Sequence, residues 1–286
     1  GGTLTTTSQD LFVFKLNNSG VPLWSEVVGG DEREDFYSVK FDGSEDLILL
    51  GGFEGEATFD GNVLNSAGQT DVFFARFNNS NGNITLLKQI GNTGDDRAFD
   101  LEVNQNGRIF VYGEYQNSTL SAGSLVLPAP SSANENSFLV KFNPVLNQYE
   151  EGLGFGNSES NSGSILIDSV GNIFISGVTH DSLKTSEFGS QIPSNSNPKI
   201  HPEVSYILKI NDDFTFEDVY YFQGKTLVSP LLAWTADEKI AAAFLTSQYI
   251  NIGHNAYHSN NSAKTIFSEI DPFTGATLWS DPLYGV

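Results

Sequence analysis

The chain has 286 residues, of which 39% are hydrophobic and 12% aromatic, including 22 Phe; this is enough apolar mass for a core and excludes wholesale disorder. Its formal net charge of −21, from 14 basic and 35 acidic residues, would repel a phosphate backbone or an anionic bilayer, which argues against nucleic acid and against membrane insertion. There is no Cys, hence no disulfide or thiolate chemistry, and no apolar run of about 18 residues that could span a membrane.

In chain order, the first element is a strand that ends in a basic residue, DLFVFKLNNSG (10–20). A turn and a second strand follow, SGVPLWSEVVGG (19–30). Next comes a different pair, two short apolar strands around a turn, from Asp35 to Gly51. After a polar connector, EGEATFDGNVLNSAGQT, the basic-slot strand returns as DVFFARFNNSNG (71–82), followed by NITLLKQIG (83–91).

The same order then repeats. The inner pair recurs as AFDLEVNQNGRIFVYGE (98–114) and GSILIDSVGNIFISGV (163–178), with a worn copy in SPLLAWTADEKIAAAFL (229–245). The outer pair recurs from NSFLVKFNPVLN (136–147), VSYILKINDDF (204–214) and TIFSEIDPFTG (265–275), the last running into TGATLWSDPLYG (274–285). Lys15, Arg76, Lys141 and Lys209, with Glu269 in the fifth copy, mark a slot that recurs every 60–68 residues or about one propeller blade plus a loop. Period-two alternation and turn residues dominate, and helical periodicity is weak.

Two inner strands, a connector and two outer strands make a four-stranded unit, and radial repetition of such units is the β-propeller solution to exposed sheet edges. The expected fold is all-β, a β-propeller of four-stranded blades with about five visible, or part of a larger ring. It is expected as one domain over 1–286, with an outer pair at 10–30 and units at about 35–91, 98–156, 163–223 and 229–285. The first strand of each unit is expected to line a channel, and Phe12, Phe73, Phe138 and Tyr206 to pack between blades. Gly51, Gly113 and Gly177 are expected to end the second strand at a sharp turn. The connectors, including the stretch from Thr179 to Pro202, are expected as surface loops. Five outer pairs against four inner pairs, and the absence of Met even at position 1, give the expectation that the chain is excised from something longer.

These residues resemble a known family. Asp10-Leu11-Phe12-Val13-Phe14-Lys15, then Ser19-Gly20, Trp24 and Gly29-Gly30, with the turn Gly171-Asn172-Ile173-Phe174-Ile175-Ser176-Gly177, are similar to the bacterial β-propeller repeat called SBBP. The resemblance covers nearly the whole chain and is specific for fold, not function. It implies a secreted or cell-surface protein of the kind found in Bacteroidetes-type bacteria, where such repeats are similar to cargo of a secretion system that reads a separate C-terminal sorting domain. Asp271 to Trp279 also resembles the repeat of quinoprotein propellers, where the Thr-Gly turn and the Trp serve structure rather than quinone binding.

No catalytic constellation stands out, and no cofactor is expected. Acids cluster at Asp31, Glu32, Glu34 and Asp35, at Asp95 and Asp96, and at Asp212 and Asp213. A glycosidase needs two carboxylates across a sugar, but turn positions favour solvated or turn-forming roles. Oxygen-rich turns also suit Ca²⁺, so Asp31, Asp35, Asp95, Asp96, Asp212 and Asp213 are its candidate ligands, although none has the spacing of a dedicated loop. His254 and His258 lie in NIGHNAYHSNNS, which reads as loop, and His180 and His201 flank another. Asn-x-Ser/Thr triplets begin at Asn17, Asn78, Asn83, Asn117 and Asn260.

The expected function is a secreted or cell-surface, non-enzymatic interaction module that binds protein or glycan at a loop face. The alternatives are a polysaccharide-acting enzyme with channel-facing carboxylates, and a scaffold segment of a larger surface or secretion-system assembly. Clustering of Phe188 and Ile192 in the long connector would favour the scaffold.

Overall fold

A computed structural model of the chain describes residues 8–116, 119–128, 135–156, 162–179, 204–259 and 262–283. Among the described residues there are 21 strands and no helix. The chain forms two compact units, one of Gly1–Ala129 with Phe138–Gly152 and one of Pro130–Ser137 with Leu153–Val286.

The first unit opens with β1 (Leu11–Leu16) and β2 (Pro22–Gly30). Then come β3 (Glu34–Phe41), β4 (Leu47–Phe59), β5 (Asn62–Phe77) and β6 (Ile84–Ile90), antiparallel neighbours in that order. The next four-stranded sheet runs β7 (Arg97–Val103), β8 (Ile109–Gln116), β11 (Glu135–Asn143) and β12 (Gln148–Gly156), with β9 (Thr119–Ala122) and β10 (Leu125–Pro128) as a separate hairpin. The unit boundary falls within β11 and β12.

The second unit holds β13 (Ile165–Ile167), β14 (Ile173–Thr179), β15 (Val204–Ile210) and β16 (Phe216–Thr226). It continues with β17 (Leu231–Trp234), β18 (Ile240–Ile252), β19 (Asn255–His258), β20 (Lys264–Ile270) and β21 (Thr277–Pro282). The strand pairs expected from the repeat are therefore present, with β1–β2 as a lone outer pair and two inner and two outer strands in each of the four modules after it.

Short Asn and Asp turns explain why the strands reverse where they do. The side chain of the first turn residue accepts backbone N–H groups two and four residues on. Asn17 does so from Ser19 and Val21, Asp42 from Ser44 and Asp46, Asn104 from Asn106 and Arg108, and Asp168 from Val170 and Asn172.

Four expectations need correction. The connectors are not simple loops. The first continues β4 and β5 as a long hairpin turning at Asp60 (φ 46°) and Gly61 (φ 77°), the second holds β9–β10, and the last holds β18–β19. Their alternation buries Ala57, Phe59, Leu120, Ala122, Ile250 and Ile252, so burial of one face outweighed the polar composition. The connector from Thr179 to Pro202 lies outside the described residues beyond Thr179.

The glycines are also different from expectation. Gly51, Gly113 and Gly177 lie inside β4, β8 and β14 rather than at a turn. Gly51 sits directly across from Phe73 and Gly177 from Tyr206. A Cβ at Gly51 would be 2.6 Å from the Phe73 ring, one at Gly113 2.7 Å from Phe138, and one at Gly177 2.1 Å from the Tyr206 hydroxyl. These glycines make room for the neighbouring aromatic ring to lie across the strand.

The modules are not isolated sheets. β2 pairs with the far end of β4, from Val28↔Phe59 to Gly30↔Ala57, and β16 pairs with β18 at Gly224↔Ile250. This produces one six-stranded and one nine-stranded sheet. Gly30 and Gly224 allow the close approach, since a Cβ there would be 1.7 Å from the Glu56 carbonyl and 2.4 Å from that of Tyr249.

Phe12 is the fourth correction. Phe73, Phe138 and Tyr206 are buried as expected, but Phe12 is exposed. The core clusters show why. In the first unit, Val13 and Val28 pack on Phe53, Phe73, Ala75 and Phe77, and on the other side of that sheet Val72 and Phe74 pack on Phe138, Val140 and Phe142. In the second unit, Ile207 packs with Ile240, Ala242, Phe244, Ile266 and Ile270. Within each unit, successive modules pack face to face, and the sheet of β3–β6 has one face in each of two clusters. The N-terminal β1–β2 pair has nothing before it among the described residues.

Candidate functional site

The acidic turns come first, because the sequence singled them out. Asp31 is exposed. Asp35 accepts from the Arg33 guanidinium at 2.8 Å and from Gln9 at 3.3 Å. Asp95 pairs with Arg97 at 2.6 Å. Asp213 caps its own turn through Thr215, and Asp212 lies over Gly171. Among the described residues no three His, Asp or Glu side chains are grouped to hold a metal ion.

Two acids are buried rather than solvated. Glu34, the first residue of β3, is fully buried. Burial, with Asp10 and Asp35 nearby, raises its pKa to about 7, and the Gly30 amide offsets only part of this. Asp96 is also fully buried and accepts from the Asn92 amide at 2.6 Å and the Gln116 amide at 3.2 Å. Burial outweighs those bonds and raises its pKa to about 7. Asp71 is buried as well, beside Gly91, where a Cβ would be 2.3 Å from its carboxyl carbon. Asp10 and Gly29 form the same arrangement, with a Cβ 2.5 Å away. The Asp of the basic-slot strand thus faces a Gly at the end of the following strand, a pairing the sequence carried but did not explain.

Among the described residues, one concavity is in the second unit. A cleft of about 600 Å³ opens between β16, the β18–β19 hairpin and the β20–β21 turn. Tyr220, Tyr221, Gln223, Asn251, His254 and Asn255 line it, with Gly275 and Thr277 on the far side. No Asp, Glu, Lys or Arg is in the lining. In a chain of net charge −21 this is a neutral patch of aromatic, amide and hydroxyl groups.

Its walls are held by the residues beneath them. The Tyr220 hydroxyl donates to the Pro272 carbonyl at 2.9 Å, and its ring lies over Gly275, where a Cβ would be 2.1 Å away. The Asn255 amide donates to Ser280 Oγ at 3.0 Å, and the Tyr257 hydroxyl to the Ser280 carbonyl at 2.6 Å. Gly253, at φ 60°, makes the hairpin turn against Thr277. The Tyr221 hydroxyl is buried with no hydrogen-bond partner among the described residues. His254 and His258 are in this hairpin rather than a loop, and His258 stacks on Tyr249 with centroids 6.2 Å apart. His180, His201, Phe188 and Ile192 lie outside the described residues, as do Asn117 and Asn260.

No family model matches the chain, and no curated protein matches it either.

Proposed function

We propose that the chain is a non-enzymatic β-propeller interaction module of a secreted or cell-surface protein, and that it binds protein or glycan, with a neutral glycan as the ligand that best suits the cleft. The cleft carries the reading. A sugar ring presents C–H faces that pack on aromatic rings and hydroxyl edges that pair with amides, and Tyr221, Asn251, Asn255 and Gln223 supply both, with Tyr220 as the buried floor. Its walls are pre-organised by hydrogen bonds, which lowers the ordering entropy of binding.

The propeller reading is supported by the repeated four-stranded modules and by bonds between the first strands of successive modules. Ser38 Oγ donates to Asp100 at 2.6 Å and Lys40 Nζ to Glu102 at 3.0 Å. Those bonds also give Asp100 and Glu102 a structural role, which favours binding over hydrolysis. The secreted or surface location follows from the SBBP-type resemblance.

The test is titration of the protein against a panel of neutral oligosaccharides by calorimetry. Ala276→Trp, which fills the cleft from an exposed position, is expected to abolish binding while leaving the melting temperature unchanged. Binding that survives this change, or turnover of the glycan, would overturn the reading.

A further inference from the structure

A second concavity of the second unit differs in chemistry from the cleft. It is a groove of about 250 Å³ where three turns meet, those of β13–β14, β17–β18 and β20–β21. Ile167, Val170, Trp234, Pro272 and Phe273 give it apolar walls, and Asp168 and Glu238 are the charged groups in its lining. All of these residues belong to the second unit. None of them lines the glycan cleft.

The aromatic part is held in place. Trp234 is the last paired residue before its turn, facing Ile240. The same position in the other modules holds Phe41, Val103 and Ile167. The repeat therefore asks for an apolar residue there, not for an indole. Here the indole Nε1 donates to the Ile167 carbonyl at 3.2 Å, and the ring meets Phe174 edge-on with centroids 5.6 Å apart. Phe273 is 71% exposed at the tip of the β20–β21 turn. That turn is fixed by Asp271 Oδ1, which accepts from the Phe273 and Thr274 amides at 2.9 and 3.0 Å.

The charged part is held in place without being neutralised. Asp168 Oδ1 accepts from the Val170 and Asn172 amides at 3.0 and 2.8 Å, and Oδ2 from Asn172 Nδ2 at 2.7 Å. These are uncharged donors. Lys239, next to Glu238 in the chain, is engaged by Asp271 at 3.0 Å. Asp212 adds a further carboxylate over Gly171 in the β13–β14 turn. Carboxylates beside the electron-rich faces of indole and phenyl rings attract a cation, and the apolar walls favour one that carries its charge on methyl groups.

We propose that this groove binds a small quaternary ammonium compound of the choline class. Its methyl groups pack on Trp234, Phe273 and Val170, and Asp168 and Glu238 balance its charge. Such a cation donates no hydrogen bond, so it needs nearby carboxylates rather than bonded ones. A phosphate on the same molecule would be pressed against those carboxylates, so the ligand is the free ammonium compound and not a phospholipid headgroup. The site is independent of the glycan cleft, and the failure of either reading leaves the other standing.

Titration of the chain with choline chloride, followed by proton NMR, tests this. The chain has 3 Trp, and the indole N–H signal that vanishes in Trp234→Phe belongs to Trp234. That signal is expected to shift saturably. The uncharged alcohol with carbon in place of the nitrogen, and phosphocholine, are each expected to bind at least about tenfold more weakly. Phe273→Ala and Glu238→Gln, both at exposed positions, are each expected to weaken choline binding at least about threefold with unchanged circular dichroism. The absence of a saturable shift overturns the proposal. So does equal binding of the uncharged alcohol, which would make this a plain apolar groove. Equal binding of phosphocholine, or choline binding unaltered in the two variants, overturns it as well.

Discussion

At the scale of single residues, the tightest constraints are glycines beside aromatic rings and acids out of water. A Cβ at Gly113 would meet the Arg97 carbonyl at 2.1 Å as well as the Phe138 ring, and the backbone cannot swing aside as a side chain can. Gly113→Ala is expected to destabilise by about 1–3 kcal/mol, the usual range for overpacking, as read from the urea midpoint. Gly43 has nothing within 4 Å and no positive φ, so Gly43→Ala is expected to leave that midpoint in place. Glu34 and Asp96 predict a pH dependence. Both have folded-state pKa values near 7, raised from 4.5 and 3.8, so the folded chain holds protons that the unfolded chain releases. Their stabilisation is complete below the unfolded values and is lost as pH rises through about 7. Melting temperature is therefore expected to fall between pH 5 and 8, and Asp96→Asn to flatten the slope; an unchanged slope in that variant would assign the effect elsewhere. Neither burial was visible in the sequence, because an Asp at a turn looks the same whether water or a neighbouring strand lies above it.

At the scale of the element, the turns were legible and the connectors were not. Asn17, Asp42, Asn104 and Asp168 each mark a reversal by a side-chain bond that depends only on residues within four positions, so local sequence sufficed. The connector hairpins were misread because their polar residues face water while Ala57, Phe59, Ile250 and Ile252 face a core made by other segments. The cleft was hidden for the same reason, since its lining comes from three stretches between Tyr220 and Thr277. The inner–outer order of strands was legible because it repeats. Packing across modules makes the two faces of a strand unequal in energy. Phe74 is fully buried between sheets, so Phe74→Ala is expected to cost about 3–5 kcal/mol. Phe41, on β3, is 67% exposed, and Phe41→Ala is expected to stay within about 0.5 kcal/mol by the same denaturant titration. Equal effects at the two sites would refute the assignment of faces.

At the scale of the whole molecule, charge acts against compactness. A net charge of −21 on 286 residues repels itself, and several of the ion pairs, such as Arg33–Asp35 and Arg97–Asp95, involve well-exposed guanidinium groups that add little. Added NaCl up to about 0.5 M is therefore expected to raise the melting temperature by screening repulsion. A fall would mean that partly buried pairs such as Arg76–Asp42, at 2.7 Å, dominate instead. The all-β class was legible from alternation, but the continuous sheets were not. They depend on Gly30 and Gly224 admitting a neighbouring carbonyl, and a glycine in the sequence does not name its neighbour.

The inequality of the two sides of each module has a genetic corollary. A stretch of DNA encoding one module, duplicated in place, yields a protein in which the new piece meets a flank shaped like the one its template already fitted. Lengthening by tandem copying is thus tolerated by construction, whereas inserting the same stretch reversed in order, outer strands before inner, would set like against like.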